Sequence, residues 1–85
     1  MATASPSPTP NPTAMKFTLD IKLAATMNVS SADAAVGNPF AEAVFAAGGV
    51  AAIFGVNDFV TITREADAAW EPITAAVQHA ASLYL

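Results

Sequence analysis

The 85-residue sequence contains no cysteine. Thiolates are the usual ligands of iron–sulfur clusters and of many zinc sites, and a thiolate is also a common nucleophile. The absence of cysteine therefore excludes disulfides, thiolate metal sites and thiol catalysis within these residues. It also means that the redox compartment cannot be inferred from cysteine usage.

Positive charge is almost as scarce. Lys16, Lys22 and Arg64 stand against seven acidic residues, which gives a net charge of -4. Three scattered cations cannot form the basic stripe that neutralises a row of phosphates. We therefore expect this small acidic protein not to bind nucleic acid.

Long apolar runs are missing too. The longest mostly apolar stretch, residues 43–56, is broken by Gly48 and Gly49 and is shorter than the roughly 20 residues of a membrane-spanning helix. The N-terminus has neither the basic segment nor the apolar segment of a secretory signal. These features predict a cytoplasmic protein that makes no use of a membrane.

The chain is long enough for one domain. Residues 1–10 are rich in proline, serine, threonine and alanine, a composition that buries too little apolar surface to offset the entropy of ordering. We expect a flexible tail over residues 1–10 and one domain over residues 11–85.

Two strands are predicted in the first part of that domain. Apolar and polar residues alternate from Met15 to Val29, as they do in a half-buried strand. The pattern is too long for one typical strand, so we place a turn near residues 22–25.

A helix and a hairpin are predicted next. Asn38 and Pro39 form a helix start, and Gly48 is suited to end that helix. Two strands over residues 50–56 and 59–64 are separated only by Asn57 and Asp58, which favours a two-residue turn.

The last element is predicted to be an amphipathic helix. Its start is open by about two residues, because Asp67 is a good capping residue whereas Pro72 has to lie in the first turn. The order of elements is then ββαββα. The simplest layered arrangement is an α+β two-layer sandwich, with a four-stranded sheet and two helices on one face. The aromatic residues expected mainly in the core are Phe40, Phe45, Phe54, Trp70 and Tyr84.

Several segments together resemble a known family. They are Thr9–Pro12 with Met15–Phe17, Asn38–Phe40, Gly49–Val50, Ile53–Phe54, Asn57–Ile62, and Asp67 followed by Trp70. In this order and spacing they resemble the N-terminal domain of the Nfu/NifU proteins, which are scaffolds and carriers of iron–sulfur clusters. The resemblance covers residues 9 to about 83.

The resemblance implies a role in the maturation of iron–sulfur proteins. In that family the domain usually accompanies a Cys-x-x-Cys domain that binds the cluster, and no such motif is present in this sequence. We therefore expect a non-catalytic protein-interaction module that holds no cluster, cofactor or metal ion itself. Its expected partner is an iron–sulfur scaffold, a carrier or an apo-client protein.

An alternative is a regulator that binds a metal ion or another small ligand. The acidic residues Asp58, Glu65, Asp67 and Glu71 suggest a cation site, and Lys16 with Arg64 suggests an anion site. The competing explanation for the acidic residues is that carboxylates are favoured near a helix N-terminus.

A catalytic site is not expected. Ser30 and Ser31 lack a base at any recognisable spacing, and His79 is expected to be an ordinary solvent-facing residue.

A partner-contact surface is the remaining site hypothesis. Phe59 is expected to point away from Val60 and Ile62, onto a sheet face that no helix covers. The segment Thr9–Pro12 is either a contact or a rigid lead-in that sets the register of the first strand. The predicted contact residues are Thr9, Pro10, Asn11, Pro12, Lys16, Asp58 and Phe59.

Overall fold

A five-stranded antiparallel sheet with two helices on one face forms the fold. The computed structural model describes residues 2–85. The elements are β1 (Ala4–Pro8), β2 (Ala14–Leu19), β3 (Met27–Val29), α1 (Pro39–Ala46), β4 (Val50–Val56), β5 (Phe59–Arg64) and α2 (Trp70–Tyr84). The strands lie in the order β1-β2-β5-β4-β3. The predicted α+β class is confirmed, while the predicted number of strands is wrong.

The additional strand is β1, which lies within the predicted flexible tail. Ala4–Pro8 pairs antiparallel with residues 15–19 of β2, so the tail prediction is wrong over these residues. Pro6 and Pro8 lack an N–H group, but a strand at the edge of a sheet tolerates proline. The composition argument failed because the pairing groups of β2 and the surface of α2 order this segment. Met1 lies outside the described residues.

The start of the chain is held by contacts with α2. Ala2 and Ala4 are buried. The N–H group of Ala2 donates to the carbonyl of Ala81 at 3.2 Å, and the side-chain amide of Gln78 donates to the carbonyl of Ala4 at 3.3 Å. These contacts close the core on the side of β1.

The long alternating segment divides as predicted into two strands, β2 and β3. They do not pair with each other, because β2 lies between β1 and β5 whereas β3 pairs with β4. The connection, residues 20–26, passes the β4–β5 turn, where the N–H group of Leu23 donates to the carbonyl of Asn57.

The predicted helix start and hairpin turn are confirmed. The Asn38 side chain accepts a hydrogen bond from the N–H group of Ala41 at 3.2 Å, and Pro39 is the first residue of α1. Asn57 adopts a φ of 56° in the β4–β5 turn, a conformation that asparagine tolerates better than most residues.

Pro72 determines where α2 begins. The residue before the helix is Ala69, which makes no capping hydrogen bond with its side chain, so Asp67 is not the cap. With Trp70 as the first helical residue, Pro72 is the third, the last position that needs no N–H donor. A helix that began after Asp67 would require a hydrogen bond that Pro72 cannot donate.

The core lies between the helices and the inner face of the sheet. Its largest fully buried side chains are Phe17, Phe40, Val44, Ile53, Val60, Ile62, Ile73 and Val77. Two of the aromatic residues expected in the core are instead exposed, Phe54 by 43% and Tyr84 by 50%. Trp70 and Phe45 are half-buried and pack against the core.

The stability of the protein should depend on pH through Asp20. The backbone N–H group of Thr3 donates to the Asp20 carboxylate at 2.9 Å and lowers the pKa of this group. A lowered pKa stabilises the folded state above about pH 4, and the contribution is lost as the pH falls through the folded-state pKa. We expect D20A to be less stable than the parent at pH 7 and to approach the parent as the pH falls through the lowered pKa of Asp20. Urea denaturation of both proteins between pH 7 and pH 2 measures the difference.

D67A is the charge-matched control for this experiment, since Asp67 is exposed. Its difference from the parent should not follow the same course with pH. A D20A deficit of equal size at pH 7 and pH 2 would show that the Thr3–Asp20 hydrogen bond does not depend on the charge of Asp20.

Candidate functional site

One face of the sheet is left uncovered by helices. Buried residues alternate along the strands with residues that point to the opposite side. The residues on that side are Ser5, Ser7, Ala14, Lys16, Thr18, Asn28, Ala52, Phe54, Val56, Phe59, Thr61 and Thr63. We call this set the bare face.

A single row of side chains crosses the bare face from edge to edge. Ser7 lies opposite Lys16, Lys16 opposite Thr61, Thr61 opposite Phe54, and Phe54 opposite Asn28. Directly opposed side chains in antiparallel strands have Cβ atoms about 4.5–5.5 Å apart. The row therefore combines one cation, two hydroxyl groups, an amide and an aromatic ring, with each side chain within contact distance of the next in the row.

Two phenylalanines make part of the bare face apolar. Phe54 is 43% exposed, and Phe59 is half-buried and has Val56 as its direct neighbour on β4. The orientation predicted for Phe59 is confirmed. Phe54 was missed because the uninterrupted apolar run of β4 indicated a strand buried on both faces. In a strand, Phe54 points to the opposite face from Ile53 and Gly55. If helices cover only the face of Ile53 and Gly55, Phe54 is on the open face, and this reasoning would have identified it.

Lys16 carries the charge of the bare face. Its Nζ atom lies 4.5 Å from the centroid of the Phe59 ring, a cation–π distance. The set contains neither Asp nor Glu, so no carboxylate within it neutralises this ammonium group. Lys16 and Phe59, which were both predicted as contact residues, thus form one unit.

The segment Thr9–Pro12 lies in the turn between β1 and β2. The Thr9 hydroxyl is within 2.9 Å of the carbonyls of Asn11 and Ala14, and the Asn11 side chain accepts from the N–H and hydroxyl groups of Thr13. The indole N–H group of Trp70 donates to the carbonyl of Pro12 at 3.3 Å. These bonds fit the rigid-connection interpretation of the segment.

Asp58 lies at the opposite end of β5 from the Thr9–Pro12 turn. Thr63, near one end of β5, faces Ala14, whereas Asp58 precedes the first residue of the strand. The ends of β5 are roughly 17 Å apart by the rise of an antiparallel strand. The carbonyl of Asp58 accepts from the N–H group of Leu19. Asp58 directly precedes Phe59, so the seven predicted contact residues fall in two places: Thr9–Pro12 beyond one end of β5, and Lys16, Asp58 and Phe59 away from that turn.

The charged sites of the alternative hypothesis are not assembled. Among residues 2–85, no three His, Asp or Glu side chains come together as a metal-ion site. The Arg64 guanidinium donates to the carbonyls of Glu65 and Ala66 and lies 5.9 Å from the Trp70 ring. Arg64 is two residues after Ile62 and therefore lies on the inner side of β5, whereas Lys16 lies on the bare face. The two cations do not form one anion site.

A shallow hollow of about 440 Å³ lies beside the N-terminal half of β4. It is lined by Ser30–Ala32, Phe45, Gly48–Ala51 and Glu65. Ser31 is occupied as an acceptor for the N–H group of Ala34 at 3.3 Å. His79 is exposed on α2 and does not line this hollow. Among residues 2–85, no hydrogen bond joins the hydroxyl of Ser30 or Ser31 to the Glu65 carboxylate, so the hollow shows no serine activated by a base.

No helix in the described part of the chain has the length and apolar character to cross a membrane.

Comparison with known proteins identifies relatives in sequence. The family model described as scaffold protein Nfu/NifU N terminal matches residues 5–85. The NifU-like protein 5, mitochondrial, of Arabidopsis thaliana is 37% identical over 68 residues, which cover 74% of this chain and 24% of the relative. The NFU1 iron-sulfur cluster scaffold homolog, mitochondrial, of Drosophila persimilis is 37% identical over 68 residues, with 76% and 24% covered. The chain thus spans about a quarter of the length of these relatives.

Solved structures share the fold. The crystal structure of protein SAV1430 from Staphylococcus aureus matches with a TM-score of 0.75 and 28% identity, over 92% of this chain and 96% of that chain. The solution structure of a NifU-like protein from Saccharomyces cerevisiae matches with a TM-score of 0.74 and 21% identity, over 94% and 73%.

Proposed function

Since the chain belongs to the Nfu/NifU N-terminal family, we propose that it is a non-catalytic protein-interaction module that serves iron–sulfur cluster assembly without holding the cluster. Relatives named as iron–sulfur cluster scaffold homologs support the pathway. The proposed partners are scaffold, carrier or apo-client proteins of that pathway.

The available donor atoms do not fit an iron–sulfur cluster. Clusters are held by cysteine thiolates, normally four, and this sequence has no cysteine. Its single histidine, His79, is exposed on α2, and no group of three His, Asp or Glu side chains in residues 2–85 is arranged to bind a metal ion. The cluster would therefore be held by a partner protein.

The bare face is the observation that carries the interaction role. Two helices cover the inner face of the sheet, whereas Phe54, Val56 and Phe59 leave apolar surface on the outer face. Exposed apolar surface with a polar rim is typical of protein contact sites. A small rigid sheet can present such a surface without a conformational change on binding.

Binding to purified proteins tests the interaction role. We expect the protein to bind at least one scaffold, carrier or apo-client protein from its own organism in biolayer interferometry. A small globular protein of net charge -4 is the control for non-specific attraction. Failure to bind any member of a complete panel would contradict the proposal.

Anaerobic reconstitution with iron and sulfide tests whether the polypeptide holds a cluster. We expect no visible chromophore on the purified polypeptide, because it has no thiolate ligands. A stoichiometric cluster without a companion chain would refute this part of the proposal.

The cellular location stays a prediction: the sequence favours the cytoplasm, whereas the relatives have mitochondrial names.

A further inference from the structure

We propose that the bare face recognises an acidic protein partner by binding a carboxylate at Lys16. This inference rests on the proposed interaction role and specifies the chemistry of the partner. The ligand would be an Asp or Glu side chain with an apolar neighbour. The ammonium group would bind the carboxylate, and the phenylalanine rings would contact the apolar neighbour.

The first argument is charge complementarity. Lys16 is the only charged residue of the bare face, on a protein whose net charge is -4. Its Nζ atom is 4.5 Å from the centroid of the Phe59 ring, and the residue is exposed. A carboxylate that approaches the bare face therefore meets a positive charge with no acidic neighbour in the set, which favours acidic partners over basic ones.

The second argument is the chemistry of the neighbours of Lys16. Its direct cross-strand partners are Ser7 on β1 and Thr61 on β5, and both carry hydroxyl groups. An ionised carboxylate only accepts hydrogen bonds and has about four acceptor sites. One ammonium and two hydroxyl donors in a row match that requirement, and bonds to an ionised group are about twice as strong as neutral ones.

The third argument is the apolar surroundings. Phe54 is next to Thr61 in the same row, and Phe59 lies under the Lys16 ammonium. Burial of these rings by a partner would remove water from around the ion pair. Removal of water strengthens the attraction between the charges because the local dielectric constant falls.

A second copy of the chain is disfavoured as the occupant. In a two-fold dimer each subunit offers the same surface to the other, so two bare faces would bring together Lys16 residues and no carboxylate. Nucleic acid is disfavoured as well, because one cation on this face can neutralise only one phosphate. An acidic protein surface is the occupant that matches both the charge and the rings.

Photo-crosslinking in cells that produce the protein tests the inference. The photoreactive residue p-benzoylphenylalanine replaces Phe54 on the bare face, and a second probe replaces Ser82, which is exposed on α2. The crosslinked partner peptide is sequenced. We expect the crosslink from position 54 to reach a protein segment that carries Asp or Glu beside an apolar residue.

Charge variants of the position-54 probe supply the matched comparison. K16E and K22E each lower the net charge by two units, and Lys22 is exposed in the 20–26 connection outside the bare face. We expect K16E to reduce the crosslink yield at least tenfold and K22E to leave it within twofold. Lysine in place of the partner's acidic residue should restore the yield with K16E. K16Q, which removes the charge without inverting it, should also lower the crosslink yield. Circular dichroism verifies that each variant is folded.

Each other result has a distinct meaning. A crosslink at position 54 that K16E does not weaken, or a captured segment without a carboxylate, would overturn this inference and leave the interaction role intact. Crosslinks from position 82 without any from position 54 would also overturn this inference and leave the interaction role intact. The absence of crosslinks from both positions would count against both proposals.

Discussion

Replacing Phe17 with alanine is expected to lower the free energy of unfolding by about 3 to 5 kcal/mol. Phe17 is fully buried in β2 and lies opposite Pro6 on β1 and Val60 on β5. Its removal leaves a cavity where three strands meet the helices, and packed side chains refill such a cavity only in part. A domain of this size has a total stability of about 4 to 10 kcal/mol, so F17A should be close to unfolding.

Thermal and urea denaturation measure this effect. We expect the melting temperature of F17A to fall by more than about 12 °C. F54A is the matched control, because Phe54 is a strand phenylalanine on the bare face that is 43% exposed. Its expected cost is about 1 kcal/mol, within the range of side-chain effects on a sheet surface. Equal losses in F17A and F54A would mean that the bare face is buried in solution.

Replacing Gly49 with alanine is expected to destabilise the protein by about 2 to 5 kcal/mol, for two reasons that add. Gly49 has a φ of 78°, a conformation that costs an L-residue about 1–2 kcal/mol. A Cβ atom at this position would also lie 2.7 Å from the Cβ of Ala68. Ala68 has no rotatable side chain to move aside, so the backbone has to shift, at a cost of about 1–3 kcal/mol.

The neighbouring glycine separates the two costs. Gly48 has a φ of 81°, but a Cβ atom there meets nothing within 4 Å, so G48A should cost only about 1–2 kcal/mol. The double variant G49A/A68G should recover the part due to overpacking, and the coupling energy is obtained from a double-mutant cycle in urea. If G48A and G49A lose equal stability, or if A68G gives no recovery, the contact with Ala68 is not the cause.

Local sequence rules predicted the elements whose physical reasons are themselves local. Asn38 and Pro39 start α1, and Asn57 turns the β4–β5 hairpin, because capping and turn chemistry act over a few residues. Pro72 defines the start of α2 for an equally local reason. Because proline has no N–H donor, Pro72 has to lie in the first turn, and this requirement outweighs the capping tendency of Asp67. The outward orientation of Phe59 follows from strand alternation and the neighbours Val60 and Ile62.

The features that were mispredicted depend on partners distant in the sequence. Ala4–Pro8 becomes a strand only because β2 offers it an unpaired edge and α2 offers contacts to Ala2 and Ala4. Phe54 was assigned to the core because an apolar run does not show which side of a sheet the helices will cover. The proposed carboxylate site shares this property, since Ser7, Lys16 and Thr61 come from three different strands.

The sequence by itself determined the α+β class, the family resemblance and the lack of thiolate ligands, because these follow from residue types and short spacings. Only the tertiary structure decided the fifth strand, the exposure of Phe54 and the row that joins Ser7, Lys16 and Thr61. Strand order and register are set by hydrogen bonds and packing between segments far apart in the chain, and composition and periodicity do not specify which segments meet.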